Sequence, residues 1–155
     1  MNNYEKLMIE CEKLGAKVIE LDFGTSKPCG NCKGNNIYIN RNCNTNEKYC
    51  VLNEELGHFL TTYGNILDKK ILTNRKQELF ARRWGYEHSV SIIGIINAFE
   101  YGALTLYDIA DFLGVTEEYL IECLEHYKQK YGDSYKIDNY IIEFIPRFGI
   151  FKKFA

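Results

Sequence analysis

A chain of 155 residues with 46% hydrophobic and 26% charged side chains matches one ordinary globular domain with its own core, and it is too apolar for a disordered tail. A net charge of -2 and a pI near 6.0 exclude a broad positive field for a polyanion, so any nucleic-acid contact has to be local. The opening MNNYEKLMIECEKLG lacks an apolar run with a small-residue cleavage site, and no stretch approaches the roughly 20 apolar residues of a membrane span, so the expected compartment is the cytoplasm.

In that compartment the six cysteines read as reduced thiols. A first helix is expected to start after Asn2 or Asn3, with Glu5 as capping-box partner of Asn2, and to stop near Gly15. KVIELDF (residues 17–23) and NIYIN (36–40) alternate apolar with polar positions across a Gly/Pro/Asn-rich connection, which predicts a small antiparallel sheet. A second helix opens at Asn44 or Thr45, since Asn44 stands three before Glu47, and runs to about Gly64. At helical spacing Tyr49, Leu52, Leu56, Phe59, Leu60 and Tyr63 share a stripe, while Glu54, His58 and Thr61 fall on roughly the opposite face.

A third helix begins after Thr73 or Asn74, carries Glu78, Ala81 and Trp84, and has a weak point at Gly85. A further helix over 91–101 stops at Gly102. Thr105 with Asp108 caps LYDIADFLG, and Thr116 with Glu117 and Glu118 starts EEYLIECLEHYKQKYG, so two helices joined at Gly114 have the outline of a helix-turn-helix. The segment SYKIDNYIIEFIP predicts a hairpin turned at Asp138 and Asn139.

The chemistry-bearing stretch is CVLNEELGHFLTTYGNIL. Glu54 and His58 are i and i+4 and stand one above the other, able to bind one cation; Glu55 lies about 60° round the helix from His58, suited to holding a water rather than to ligation. Spacing alone leaves a solvated helix face as the ordinary alternative, and a di-iron carboxylate site is set aside because a second Glu-x-x-His is missing.

This segment resembles the His-Glu-Leu-Gly-His helix of the ImmA/IrrE metallopeptidases, and NRKQELFARRWGYE resembles their second site helix, in which a glutamate ahead of an Ala-x-x-aromatic pattern completes the metal site. By position that glutamate is Glu78, three residues before Ala81; taken alone it would pass for a first-turn acid favoured by the helix dipole. The resemblance covers about residues 17–146 and implies one α+β, zincin-like metallopeptidase domain over 1–155, with a mostly helical metal-site body (1–102) followed by a helix pair and terminal hairpin (103–155). It further implies Glu54, His58 and Glu78 as metal ligands and Glu55 as the base that deprotonates the attacking water. Zinc is the first expected metal. Manganese and iron(II) are alternatives, because Glu54 stands where the family has its first histidine and the strict His-Glu-x-x-His signature is absent. Two anionic ligands also neutralise a divalent ion formally, so water is acidified less than with the two-histidine set. The implied substrate is a helix-turn-helix repressor, which would make the chain an anti-repressor of a phage or mobile element.

Other features carry plainer expectations. His88 is a poor third ligand unless its helix bends at Gly85, and His126 is expected to sit on a charged surface helix without a specific role. Cys29 and Cys32 form a Cys-x-x-Cys, but KGNNIYIN reads as a turn and strand rather than the helix start of a thioredoxin-type motif; a structural metal on Cys29, Cys32, Cys43 and Cys50 is the minor alternative. Lys69, Lys70, Arg75, Lys76, Arg82 and Arg83 read as a solvated basic patch, with substrate steering near the site as the minor alternative. Glu117, Glu118, Glu122 and Glu125 would repel phosphates, so the helix pair is expected to dock on protein rather than DNA.

Overall fold

The structure, a computed structural model, describes residues 1–25, 27–63 and 74–154. The expected boundaries at Gly64 and Thr73, and the lysines Lys69 and Lys70, lie outside the described residues.

Helix α1 (Asn3–Lys13) opens with the expected reciprocal cap: the Glu5 amide donates to Asn2 Oδ1 at 2.8 Å, and the Asn2 amide donates to Glu5 Oε2 at 3.1 Å. It buries Tyr4, Leu7 and Cys11. Strands β1 (Lys17–Leu21), β2 (Gly30–Lys33) and β3 (Asn36–Asn40) form a sheet in the order β1-β3-β2. The pairing of β1 with β3 is parallel, from Lys17↔Asn36 to Leu21↔Asn40, which corrects the antiparallel expectation. The reason is β2, a strand that the composition Gly-Asn-Cys-Lys does not announce. It pairs antiparallel with β3 through the two-residue turn Gly34-Asn35, where Gly34 has φ 65°, and so reverses the chain once more between β1 and β3.

Helix α2 (Thr45–Tyr63) starts on the expected Asn44–Glu47 box, with the Glu47 amide 2.9 Å from Asn44 Oδ1 and the Asn44 amide 3.1 Å from Glu47 Oε1. Its apolar stripe packs inward: Leu52 and Leu56 are fully buried, with Tyr49 and Phe59 nearly so. The opposite face is not simply solvated: α3 (Asn74–Ser89) packs against α2, and Thr61 is buried, its hydroxyl donating to the Gly57 carbonyl at 2.7 Å. The two helices touch backbone to backbone. A Cβ on Gly57 would stand 2.3 Å from the Ala81 carbonyl oxygen, and one on Gly85 would stand 3.1 Å from that of Asn53. Gly85 is therefore a point of close approach and not the expected weak point; α3 runs through it unbroken to Ser89.

Helices α4 (Ile92–Tyr101), α5 (Leu106–Leu113) and α6 (Glu117–Tyr131) follow, capped by Ser91, Thr105 and Thr116 hydroxyls. Gly102 and Gly114 end α4 and α5 in the left-handed conformation. The α5–α6 pair is tied to the N-terminal part: Asn3 Nδ2 donates to the Leu113 carbonyl at 3.0 Å, and Tyr86 Oη donates to Glu122 at 3.2 Å. A second sheet, in the order β4-β5-β6, is antiparallel throughout and comprises β4 (Ser134–Ile137), β5 (Tyr140–Glu143) and β6 (Gly149–Lys152). The first two strands turn at Asp138 and Asn139 as expected, with Asp138 at φ 51°, whereas β6 was not foreseen. Mixed helix and small sheets of this kind agree with the expected α+β, zincin-like class. Among the described residues, no single helix is long and apolar enough to cross a membrane.

Candidate metal centre

The crossing of α2 and α3 at Gly57 and Ala81 sets two side chains facing each other across the seam. His58 Nε2 lies 3.7 Å from Glu78 Oε2, with the imidazole mostly covered and the carboxylate exposed. Glu54, one turn before His58, directs Oε1 towards Arg82 Nε at 3.9 Å. Glu55 takes the neighbouring direction, under the sheet edge. A Cβ on Gly30 of β2 would stand 3.4 Å from Glu55 Cγ and 2.4 Å from Val51 Cγ1, so β2 lies directly over this turn of α2.

Burial under β2, together with the charges of Glu54 and Glu78, pushes the Glu55 carboxyl up to about 7. Cys32, the next β2 residue on that face, has its thiol pushed up to about 11 by burial and by Glu55. Three carboxylates and one imidazole thus lie along this stretch of the seam with an excess of negative charge. That donor set suits a divalent ion, since oxygen and imidazole ligands serve zinc, manganese and iron(II) alike.

The four residues named from the sequence are brought together unequally. His58 and Glu78 form the close pair, and Glu55 is their neighbour. Glu54 is partly committed to Arg82, and the donor atoms of Glu54, His58 and Glu78 do not all lie within 4.8 Å of one another. Arg82 was read as part of a solvated basic patch, with substrate steering near the site as the minor alternative; its i+4 position from Glu78 on α3 was the available signal for a place beside the site. Covering of Glu55 by β2 had no signal, because β2 itself was not legible.

Three further expectations change. Cys29 and Cys43 are disulfide-bonded, with Cα atoms 6.2 Å apart, so the all-thiol reading holds only for Cys11, Cys32, Cys50 and Cys123. The structural metal weighed for Cys29, Cys32, Cys43 and Cys50 also fails as a set: among the described residues, the group with converging donor atoms is Cys29, Cys43 and Glu47. His126 is buried rather than idle at the surface, and its Nε2 lies 2.9 Å from Glu87 Oε2. His88 is no ligand; its ring bridges Asn53 Oδ1 at 2.8 Å and Glu10 Oε1 at 2.9 Å, tying α3 to α2 and α1. A cleft of about 640 Å³ lined by Phe80, Trp84, Glu87 and His126 occupies the other face of α3 and includes neither His58 nor Glu78.

Comparison with known proteins identifies a family. The model of peptidase family M78, described as the IrrE N-terminal-like domain, matches residues 11–125, a span running from α1 through β1–β3, α2 and α3 into α6. Neither the curated proteins nor the solved structures contain a significant match. The family supports a metallopeptidase-type function and implies a divalent metal. On a match covering most of its length, the chain belongs to the IrrE N-terminal-like peptidase family.

Proposed function

We propose that this protein is a metal-dependent endopeptidase that cleaves a helix-turn-helix transcriptional repressor in the cytoplasm, acting as an anti-repressor of a phage or mobile element. The observation that carries the reading is the approach of His58 and Glu78 to 3.7 Å across the α2–α3 seam, with the half-buried Glu55 beside them. Glu54, His58 and Glu78 are the ligand set. When bound, the ion, zinc first with manganese or iron(II) as alternatives, supplies Lewis acidity to the scissile carbonyl.

Glu55 supplies the proton transfers. Its carboxylate takes a proton from the attacking water and returns it to the leaving amine, a task served best by a group titrating near the working pH. The β2 edge keeps bulk water off its buried side, while Arg82 offsets the charge that Glu54 adds. The repressor substrate rests on the family resemblance. Exposure of Glu117, Glu118, Glu122 and Glu125 on α6 supports a protein rather than a DNA partner for the helix pair.

A second reading has one observation in its favour: Glu54 replaces a histidine and pairs with Arg82, as in a silent homologue that binds a regulator without cutting it. Metal analysis and one substitution separate the two. The enzyme is expected to hold a stoichiometric divalent ion that His58→Ala loses, and Glu55→Gln is expected to keep the ion yet stop cleavage of a co-encoded repressor. Cleavage retained in Glu55→Gln would remove Glu55 as base, and a wild-type protein without metal or cleavage would establish the silent reading.

A further inference from the structure

Away from the helix seam, two cysteine side chains and one carboxylate meet at the start of α2. The Sγ atoms of Cys29 and Cys43 and a carboxylate oxygen of Glu47 all lie within 4.8 Å of one another. Each is held by backbone that does not depend on the sulfur–sulfur bond. The Cys29 carbonyl accepts from the Asn40 amide at 2.8 Å, and the preceding Pro28 carbonyl accepts from the fully buried Asn40 side chain at 3.1 Å. Cys43 is buried, and its amide donates to the Asn40 carbonyl at 3.2 Å. Glu47 is anchored by the amide of Asn44 on Oε1, which orients its carboxylate and leaves further lone pairs open.

We propose that Cys29, Cys43 and Glu47 form a second, thiolate-rich zinc site in the reduced protein, and that the Cys29–Cys43 disulfide is its oxidised, ion-free state. Two thiolates on one tetrahedral zinc stand roughly 3.8 Å apart, a separation that small side-chain rotations reach from Cα atoms 6.2 Å apart. Two thiolates and a carboxylate around a divalent ion leave a net charge of about -1, which the N-terminal end of α2 favours. Water completes the coordination.

Interconversion is ordinary exchange chemistry. A thiolate of a dithiol or glutathione-class reductant attacks one sulfur; a second reductant thiol resolves the mixed disulfide, leaving Cys29 and Cys43 as thiols and the reductant as disulfide. Zinc then binds the two thiolates, and their two protons leave. A disulfide-class oxidant accepts the electrons in the reverse direction and the ion is released. Because Cys29 precedes Gly30, whichever bond is present tethers the β2 edge that covers Glu55.

Cobalt(II) titration of the full chain tests this, since a thiolate-to-cobalt charge-transfer band in the near ultraviolet cannot come from the sulfur-free set Glu54, His58 and Glu78. The chain reduced with a phosphine, which does not mimic a thiol ligand, is expected to develop the band with one equivalent and lose it to zinc; the oxidised chain develops none. His58→Ala keeps the band, Cys43→Ser abolishes it, and Glu47→Gln weakens cobalt binding about tenfold or more, as removal of a ligand should. A reduced wild type without the band, a band unchanged in Cys43→Ser, or a band lost in His58→Ala overturns the proposal; unchanged affinity in Glu47→Gln overturns the carboxylate's part. Should Cys43→Ser fail to fold, the oxidised and reduced wild-type samples decide the matter without any substitution.

Discussion

Glu54 and Glu55 are neighbours with different surroundings: one reaches Arg82, the other is pressed under β2. The difference has a pH signature in the metal-free protein. Burial, Glu54 and Glu78 raise the folded-state affinity of Glu55 for its proton, from 4.5 to about 7. Its favourable contribution to folding is therefore complete below pH 4.5 and is lost as pH rises through about 7. Metal-free wild type is expected to lose on the order of 3 kcal/mol between those limits that Glu55→Gln does not lose, read from denaturant unfolding at pH 5 and pH 8. Equal pH dependence of the two proteins would mean that Glu55 is not buried. At this scale Glu54, Glu55 and His58 were legible because one helical period relates them. Glu78 was legible only through resemblance, since nothing local in the sequence says that α3 crosses α2 opposite His58. His126 was misread as a surface group, because charge pattern alone does not reveal that a second helix lies against it; Arg82 is exposed as expected, and its approach to Glu54 is the part that the pattern did not show.

Among elements, the seam between α2 and α3 depends on the absence of side chains at Gly57 and Gly85. Gly57→Ala would bring a methyl group to 2.3 Å from the Ala81 carbonyl oxygen, so the helices must part. The expected cost is about 1–3 kcal/mol in unfolding experiments. A larger relative loss is expected in affinity for a divalent ion, because Glu78 rides on the displaced helix; isothermal titration of the variant would detect it. Unchanged metal affinity would mean that α3 does not supply a ligand. Helix boundaries were largely readable from caps, as the Asn2–Glu5, Asn44–Glu47, Thr105 and Thr116 starts demonstrate. Strand pairing was not: the alternation in β1 and β3 identifies strands but carries no direction, and the Gly-Asn-Cys-Lys strand between them has too little β-branched character to be seen.

For the whole molecule, the C-terminal sheet lies beyond the matched span 11–125 yet shares the core. Tyr127 is the link: it is almost fully buried, stacks on Tyr131 and Phe144, and donates its hydroxyl to the Val90 carbonyl at 2.7 Å. Tyr127→Phe keeps the packing and leaves that acceptor without its donor, for an expected loss of about 1 kcal/mol in urea unfolding. No loss at all would indicate that the carbonyl is satisfied by water. One topological property remains. The Cys29–Cys43 crosslink makes a closed ring of the segment containing β2 and β3, with the Gly34-Asn35 turn at its outer tip. A protease that nicks that turn would leave two fragments still joined covalently, migrating as one species until a reductant is added, so cleavage there would go unseen on a non-reducing gel.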